Sequence, residues 1–255
     1  MPLDPEILER AREWTGSHCD PATRAEVQAL IDADDEDEIR DRFGAQLEFG
    51  TGGLRGIVGA GTNRMNRYTA GAASQGLAHY IRKQVGPGNG SVVIAHDSRT
   101  HSAQFASEAA QIFAANGIRT YLFEALRPTP ELSFAVRHLG ATAGIVITAS
   151  HNPKQYNGYK VAWSDGAQVI PPHDTGITDE VRAIHDLSHI RFADFESAKN
   201  DGLIVLIGEE VDEAYLAALD AARLAEDLDP AIPAGLKIVY SPLHGTGATL
   251  VPAAL

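Results

Sequence analysis

Between residues 91 and 148, short runs of apolar, largely β-branched residues alternate with segments whose apolar residues recur every three or four positions. Val92-Val93-Ile94-Ala95, Tyr121-Leu122-Phe123 and Gly144-Ile145-Val146-Ile147-Thr148 read as buried strands. Between them, Phe105, Ala109, Ile112 and Phe113 follow Ser102 at helical spacing, and Leu132, Ala135, Val136 and Leu139 follow Thr129-Pro130. Upstream, Asn66 is placed to cap a helix with Ala70, Ala73, Leu77, Tyr80 and Ile81 on its apolar face, ended by Gly86-Pro87-Gly88-Asn89-Gly90. Such alternation builds βαβ units. The expected fold is α/β: a mixed, mostly parallel sheet with helices on both faces.

Either side of this block the pattern changes. Residues 1–45 read as a helical N-terminal extension, with Ile7, Leu8, Ala11 and Trp14 at helical spacing and Asp20-Pro21 as a cap followed by proline at the first helical position. The acidic run from Asp32 to Glu38 lacks the glycine and spacing of a calcium loop and reads as a solvated helix end. Residues 46–202 form the expected main domain, closing with a polar transition that carries one helix around Val181, Ile184 and Leu187. Residues 203–255 read as the start of a second α/β domain, with a helix carrying Val211, Tyr215 and Leu219 and a strand at Leu236-Lys237-Ile238-Val239-Tyr240. The chain stops at Leu255 inside an expected helix, so it reads as an N-terminal portion of a longer enzyme or as a shortened product.

The run ending at Thr148 continues as Ala149-Ser150-His151-Asn152-Pro153. Ligands of open α/β sheets bind beyond the carboxyl ends of the strands, which is where Ser150 is expected. A serine hydroxyl there is either a turn residue closing its own loop or a nucleophile beside a candidate base, His151. Glycine-rich Gly50 to Gly56 is either a tight turn or a phosphate-approaching loop around Arg55; it fails as a dinucleotide fingerprint, because Arg55 occupies the third glycine position. Lys160 lies ten residues after Ser150, where a hairpin could fold it back over the serine. Asp97 and Arg99 are expected to pair with each other and shape the site. No G-x-S-x-G elbow surrounds Ser150, which counts against a serine hydrolase despite His244-Gly245-Thr246-Gly247.

Four segments together, Gly50-Thr51-Gly52-Gly53-Leu54-Arg55-Gly56, Ala95-His96-Asp97-Ser98-Arg99, Thr148-Ala149-Ser150-His151-Asn152-Pro153 and Asn157-Gly158-Tyr159-Lys160, resemble in order and spacing the α-D-phosphohexomutases, the phosphoglucomutase and phosphomannomutase family. Leu47 to Thr51 and Asp165 to Val169 resemble the branch that also holds phosphopentomutase. The resemblance covers roughly residues 45 to 255. It implies a phosphoserine at Ser150 that passes a phosphoryl group between the 1 and 6 positions of a hexose. Arg55, Lys160 and His151 would be the other catalytic groups, with Arg55, Ser150 and Asn152 on the substrate. It further implies Mg2+ bound through the Ser150 phosphate, with its remaining ligands absent from this chain, and glucose 1,6-bisphosphate as activator. Asp227-Leu228-Asp229-Pro230 does not match the family's aspartate-rich metal loop. The chain alone is therefore expected to be inactive or nearly so, and phosphopentomutase, phosphomannomutase or a non-catalytic phosphosugar-binding module are the alternatives.

Bulk properties agree with this reading. A net charge of −13 argues against unaided binding to nucleic acid or anionic membranes, while leaving room for a local cationic pocket that takes a phosphorylated sugar. The single cysteine, Cys19, leaves no internal disulfide and reads as a structural residue near a helix junction. With no span of membrane length and no apolar leader in the sequence, the expected location is the cytoplasm.

Overall fold

A computed structural model describes residues 2–50, 52–184, 186–222 and 236–255. Thr51, in the glycine-rich segment, and Asp227–Pro230 lie outside the described residues. The first three helices are α1 (Pro5–Glu13), α2 (Pro21–Asp32) and α3 (Glu36–Phe43). Aspartates at positions 4, 20 and 35 cap them by accepting backbone N–H groups of the first turn. The acidic run thus spans the end of α2 and the opening of α3, where Glu36, Asp37 and Glu38 sit favourably at the positive helix terminus. These helices bury Ala11, Trp14, Cys19, Val27, Ile39 and Phe43 in a small core of their own. Trp14 packs edge-on to Phe43 and to Tyr68, with ring centroids 5.7 and 5.3 Å apart.

Tyr68 belongs to the next helix, α4 (Arg67–Val85), capped by Asn66 in a reciprocal capping box with Thr69. The main body then runs β1 (Leu54–Ile57), α4, β2 (Ser91–His96), α5 (Ser102–Ala115), β3 (Arg119–Phe123), α6 (Thr129–His138), β4 (Ala143–Ile147) and β5 (Tyr156–Trp163). It continues through α7 (His173–Arg182), α8 (Phe195–Asn200), β6 (Ile204–Ile207) and α9 (Glu209–Ala221), and a short α10 spans Leu250–Ala254. The six strands form one sheet in the order β1-β5-β4-β2-β3-β6. β4, β2, β3 and β6 run parallel to one another, and β5 is antiparallel to both β1 and β4.

One sheet face packs Val92, Ile94, Ile145, Ile147, Tyr159 and Val161 against α4 and α5. The other packs Val93, Ala95, Phe123 and Val146 against α6, with Val211 of α9 in the same core. Continuous burial on both faces explains why β4 reads as an unbroken apolar run. The mixed, mostly parallel α/β sheet is as the sequence implies.

Three expectations need correction. The boundary after residue 202 is displaced, because Ile204–Ile207 pairs with Thr120–Phe123 and extends the main sheet. The helix around Val181 begins earlier, at His173, so that Ile177 enters the main core and Val181 packs against it, and it ends at Arg182. Leu236–Tyr240 forms no strand: no described strand lies beside it, and Leu236, Ile238 and Val239 are exposed.

Candidate active site

The chain leaves β2 toward one side of the sheet and places β4 on the other, so the loops after these adjacent strands flank a crevice, the usual ligand position in such sheets. A cavity of about 570 Å³ opens there, lined on its polar side by Asp97, Ser98, Thr148, Ser150, Asn152 and Lys154. Arg127, Pro128, Thr129 and Pro130 form another wall, and His244, Gly245 and Thr246 also line it.

Ser150 is exposed at the loop tip with a left-handed backbone, φ 56°. A serine rarely occupies that region unless its surroundings impose it, and a connected set of hydrogen bonds does so here. Thr148 Oγ1 accepts the Ser150 N–H at 3.0 Å and donates to Asp97 Oδ2 at 2.6 Å. Asp97 is itself fixed by Ser102 Oγ at 2.7 Å and by the Arg99 backbone N–H at 2.9 Å. Arg99 then gives Nε to Asp97 at 3.2 Å, Nη2 to the Ser150 and Asn152 carbonyls at 2.8 and 2.7 Å, and Nη1 to the Pro153 and Tyr156 carbonyls at 2.9 and 3.0 Å. A guanidinium has five N–H donors, and all five are spent on the protein. Arg99 therefore shapes the loop and has none left for a ligand.

The strand β5 explains the Asn157–Lys160 motif by alternation. Asn157 and Tyr159 point into the α4/α5 layer, both fully buried. Asn157 donates to Thr100 O and Ser102 Oγ, and Tyr159 Oη accepts from Ser74 at 3.1 Å. Gly158 and Lys160 face the cleft side. A Cβ on Gly158 would lie 2.7 Å from the carbonyl oxygens of both Leu54 and Thr148, so only glycine lets three strands close there. Lys160 Nζ reaches Ser150 Oγ at 2.6 Å.

Arg55, on β1, faces Gly158 in register and so shares the face of Lys160. Its Nη1 donates to Asn152 Oδ1 at 3.3 Å. The glycines before it do make a tight turn, in which Gly50 and Gly53 exchange backbone hydrogen bonds. Gly53, φ 83°, has no room for a Cβ, which would fall 2.0 Å from Tyr159 O. The turn thus serves to seat β1 against β5.

The structure accordingly brings Ser150, Lys160, Arg55, Asn152, Asp97 and Arg99 together. His151 is exposed, and its imidazole has no hydrogen-bond partner among the described residues. Sequence reasoning missed Thr148 as the clamp on the serine backbone, Lys154 as a further cation at the cleft, and Asn157 as the anchor of β5. A polar residue opposite a strict strand alternation was the available signal for Asn157. A second cavity, of about 630 Å³, follows the seam between the helical extension and the sheet, walled by Trp14, Leu47, Phe49 and Tyr68; it does not include the serine.

The described residues do not form a magnesium site by themselves. Asp97 is the carboxylate lining the cleft, and its oxygens are taken by Thr148, Ser102 and Arg99. No group of three or more His, Cys, Asp or Glu among the described residues is placed to hold a metal. No described helix is long and apolar enough to cross a membrane.

Comparison with known proteins agrees with this geometry. Residues 46–187 match the family model for phosphoglucomutase/phosphomannomutase, alpha/beta/alpha domain I. The chain is 38% identical over 259 residues to a probable phosphoribomutase of Schizosaccharomyces pombe, covering 99% of this chain and 43% of that protein. It is 38% identical over 217 residues to a phosphoglucomutase of Staphylococcus epidermidis, covering 85% of this chain and 38% of the relative. A solved structure from Thermus thermophilus, described as a phosphomannomutase, superposes with a TM-score of 0.65 at 28% identity, covering 82% of this chain and 43% of the other. The chain spans less than half the length of these relatives. The matched model covers more than half of this sequence, over the strands and loops that build the Ser150 crevice, and the chain therefore belongs to the phosphoglucomutase/phosphomannomutase family.

Proposed function

We propose that this chain carries the phosphoryl-transfer serine of a phosphosugar mutase. The observation that carries the reading is the Lys160 Nζ to Ser150 Oγ hydrogen bond of 2.6 Å, on a strained serine loop within a cation-lined cleft. In the phosphorylated form, a hydroxyl of a sugar monophosphate attacks phosphorus. The new O–P bond forms as the P–Oγ bond breaks, and the sugar hydroxyl proton leaves to solvent. The departing Oγ takes a proton from the Lys160 ammonium beside it. In the return step the neutral amine accepts the Ser150 proton as Oγ attacks the other phosphate of the bisphosphate. The Oγ–P bond forms as the bond from phosphorus to the sugar oxygen breaks, and that oxygen takes a proton from solvent. Arg55 and Lys154 offset the charge of the transferring group, the main service a protein gives to phosphoryl transfer. Asn152 orients Arg55, and the exposed His151 is given no part in the proton transfer at Ser150.

The substrate we favour is a hexose phosphate, interconverting glucose 1-phosphate and glucose 6-phosphate through glucose 1,6-bisphosphate, supported by the phosphoglucomutase relative. A pentose phosphate is the second reading, supported by the phosphoribomutase relative that aligns along almost the whole chain. Magnesium belongs to the proposal as an ion completed by groups beyond the described residues, and the cytoplasm as the place where such sugars are handled. Residues from Leu236 onward we assign to the opening of a further domain.

The test is competition between phosphoryl donors. The chain is incubated with magnesium and either glucose 1,6-bisphosphate or ribose 1,5-bisphosphate, and phosphoserine is quantified against time. Faster labelling by the hexose donor is expected. Faster labelling by the pentose donor moves the assignment to a phosphopentomutase, and labelling by neither contradicts the mutase reading.

A further inference from the structure

The Arg127–Pro130 wall of the cleft is held from behind by groups that phosphoryl transfer does not use. Glu131, in the first turn of α6, is 0% exposed, and neither of its carboxyl oxygens has a hydrogen-bond partner. Arg127, also buried, gives Nε and Nη2 to the Asp212 carboxylate at 2.7 and 2.8 Å, a bidentate pair reaching across to α9. Its third nitrogen donates to Leu126 O at 2.9 Å. Arg127 Nε lies 3.8 Å from Glu131 Oε2, outside hydrogen-bond range. One cation thus faces two buried carboxyls and hydrogen-bonds to one of them.

A second carboxylate there would be an uncompensated buried charge. The consistent state is a protonated, neutral Glu131. Burial first, and then Asp212, push the Glu131 carboxyl up to about 8. Asp212 is held below its ordinary value, against the cost of burial, by the hydrogen bonds from Arg127. Tyr215 of α9 also faces Glu131, and Glu124 acts on Arg127. β4 carries no titratable residue, and β2 carries only His96, whose Nδ1 is engaged with the Asp97 carbonyl.

We propose that Glu131 is a proton-dependent positioning residue: kept neutral behind the Arg127–Asp212 pair, it leaves that pair intact to fix the Arg127-Pro128-Thr129-Pro130 wall of the Ser150 cleft. The connection is short. The Arg127 N–H donates to His96 O at 3.1 Å, one residue before the Asp97 that clamps Thr148 and Ser150, and Arg127 through Pro130 line the same cavity. Loss of the Glu131 proton sets two buried negative charges against each other beside one cation and loosens the wall. The consequence for catalysis rests on the mutase reading; the titration of the wall does not.

The experiment follows the backbone amide resonances of Leu126, Arg127 and Thr129 from pH 6 to 10 in the 255-residue chain. They are expected to shift with a midpoint near 8 in the parent and to stay still in Glu131→Gln, which keeps the shape and cannot ionise. In Asp212→Asn, Arg127 is freed to pair with an ionised Glu131, so the midpoint should fall by at least about one unit; this second variant decides the matter if the first does not fold. Static amides in the parent, equal titration in Glu131→Gln, or an unmoved midpoint in Asp212→Asn would overturn the proposal. Ser150 phosphorylation by glucose 1,6-bisphosphate adds the functional readout. Its rate should fall on the alkaline side through pH 8 in the parent but not in Glu131→Gln, and the same alkaline fall in both contradicts the positioning role. A parent that is never phosphorylated refutes the mutase reading and leaves the amide titration to judge the Glu131 unit.

Discussion

Lys160 and Ser150 are ten residues apart in sequence, yet Nζ and Oγ meet at 2.6 Å because β4 and β5 form an antiparallel pair that places Lys160 beside Val146 and returns it to the strand end. The contact joins a nucleophile to a mobile proton carrier without an intervening base. It also sets the first expectation. Lys160→Met retains the aliphatic stem and removes the ammonium. The rate of Ser150 phosphorylation by glucose 1,6-bisphosphate should fall about 10²- to 10⁴-fold, the range for a lost general acid or base. Because Lys160 is half-exposed, urea unfolding should change by no more than about 0.5 kcal/mol. Unchanged labelling with intact stability would remove Lys160 from the mechanism.

Arg99 is expected to behave in the opposite way, with stability leading and chemistry following. Its five N–H groups serve Asp97 and four carbonyls of the serine loop. Arg99→Lys keeps the charge but cannot reproduce that planar fork. Denaturant unfolding should show a loss of about 2 to 4 kcal/mol, since partly buried carbonyls and Asp97 lose their donors. Ser150 phosphorylation should slow in the folded fraction as well. A variant of parental stability would show that the loop is held by other contacts.

Acid sensitivity should trace in part to Asp20. Against the cost of partial burial, hydrogen bonds from the Thr23 side chain and backbone, Tyr68 Oη and the Ala22 N–H hold its carboxyl down to about 2. A carboxylate depressed in the folded state stabilises above its unfolded pKa of about 4, and that contribution is lost as pH falls from about 4 through 2. Asp20→Asn keeps a cap and gives up the charge. At pH 5 it should be less stable than the parent by about 1 to 2 kcal/mol, and the gap should close by pH 2. A gap of equal size at both pH values would contradict this assignment.

Much of the site was legible in sequence because its parts are local. A β-branched run ending in Thr148-Ala149-Ser150-His151-Asn152-Pro153 announces both a buried strand and a polar loop at its carboxyl end. The offset of ten residues to Lys160 suits a hairpin. What escaped was set by distant partners. β1 was hidden among glycines whose purpose, the close approach of Gly53 to Tyr159 O, exists only once β5 is beside it. β6 joined the main sheet instead of a second unit, because β3, far away in sequence, offered it an unpaired edge, a pairing no local pattern records. Asp212 carries no sign in sequence that it pairs with Arg127, since one lies on a helix and the other on a loop, and each looks like an ordinary surface charge. Leu236–Tyr240 shows the converse: strand-like composition without a neighbour yields no ladder.

The most direct measurement for the central claim is intact-mass analysis and peptide mapping of the purified chain after incubation with glucose 1,6-bisphosphate and magnesium, beside Ser150→Ala. The account predicts one phosphoryl group, on Ser150, with none on the variant. A phosphoryl group at another residue, or equal labelling of Ser150→Ala, would contradict it.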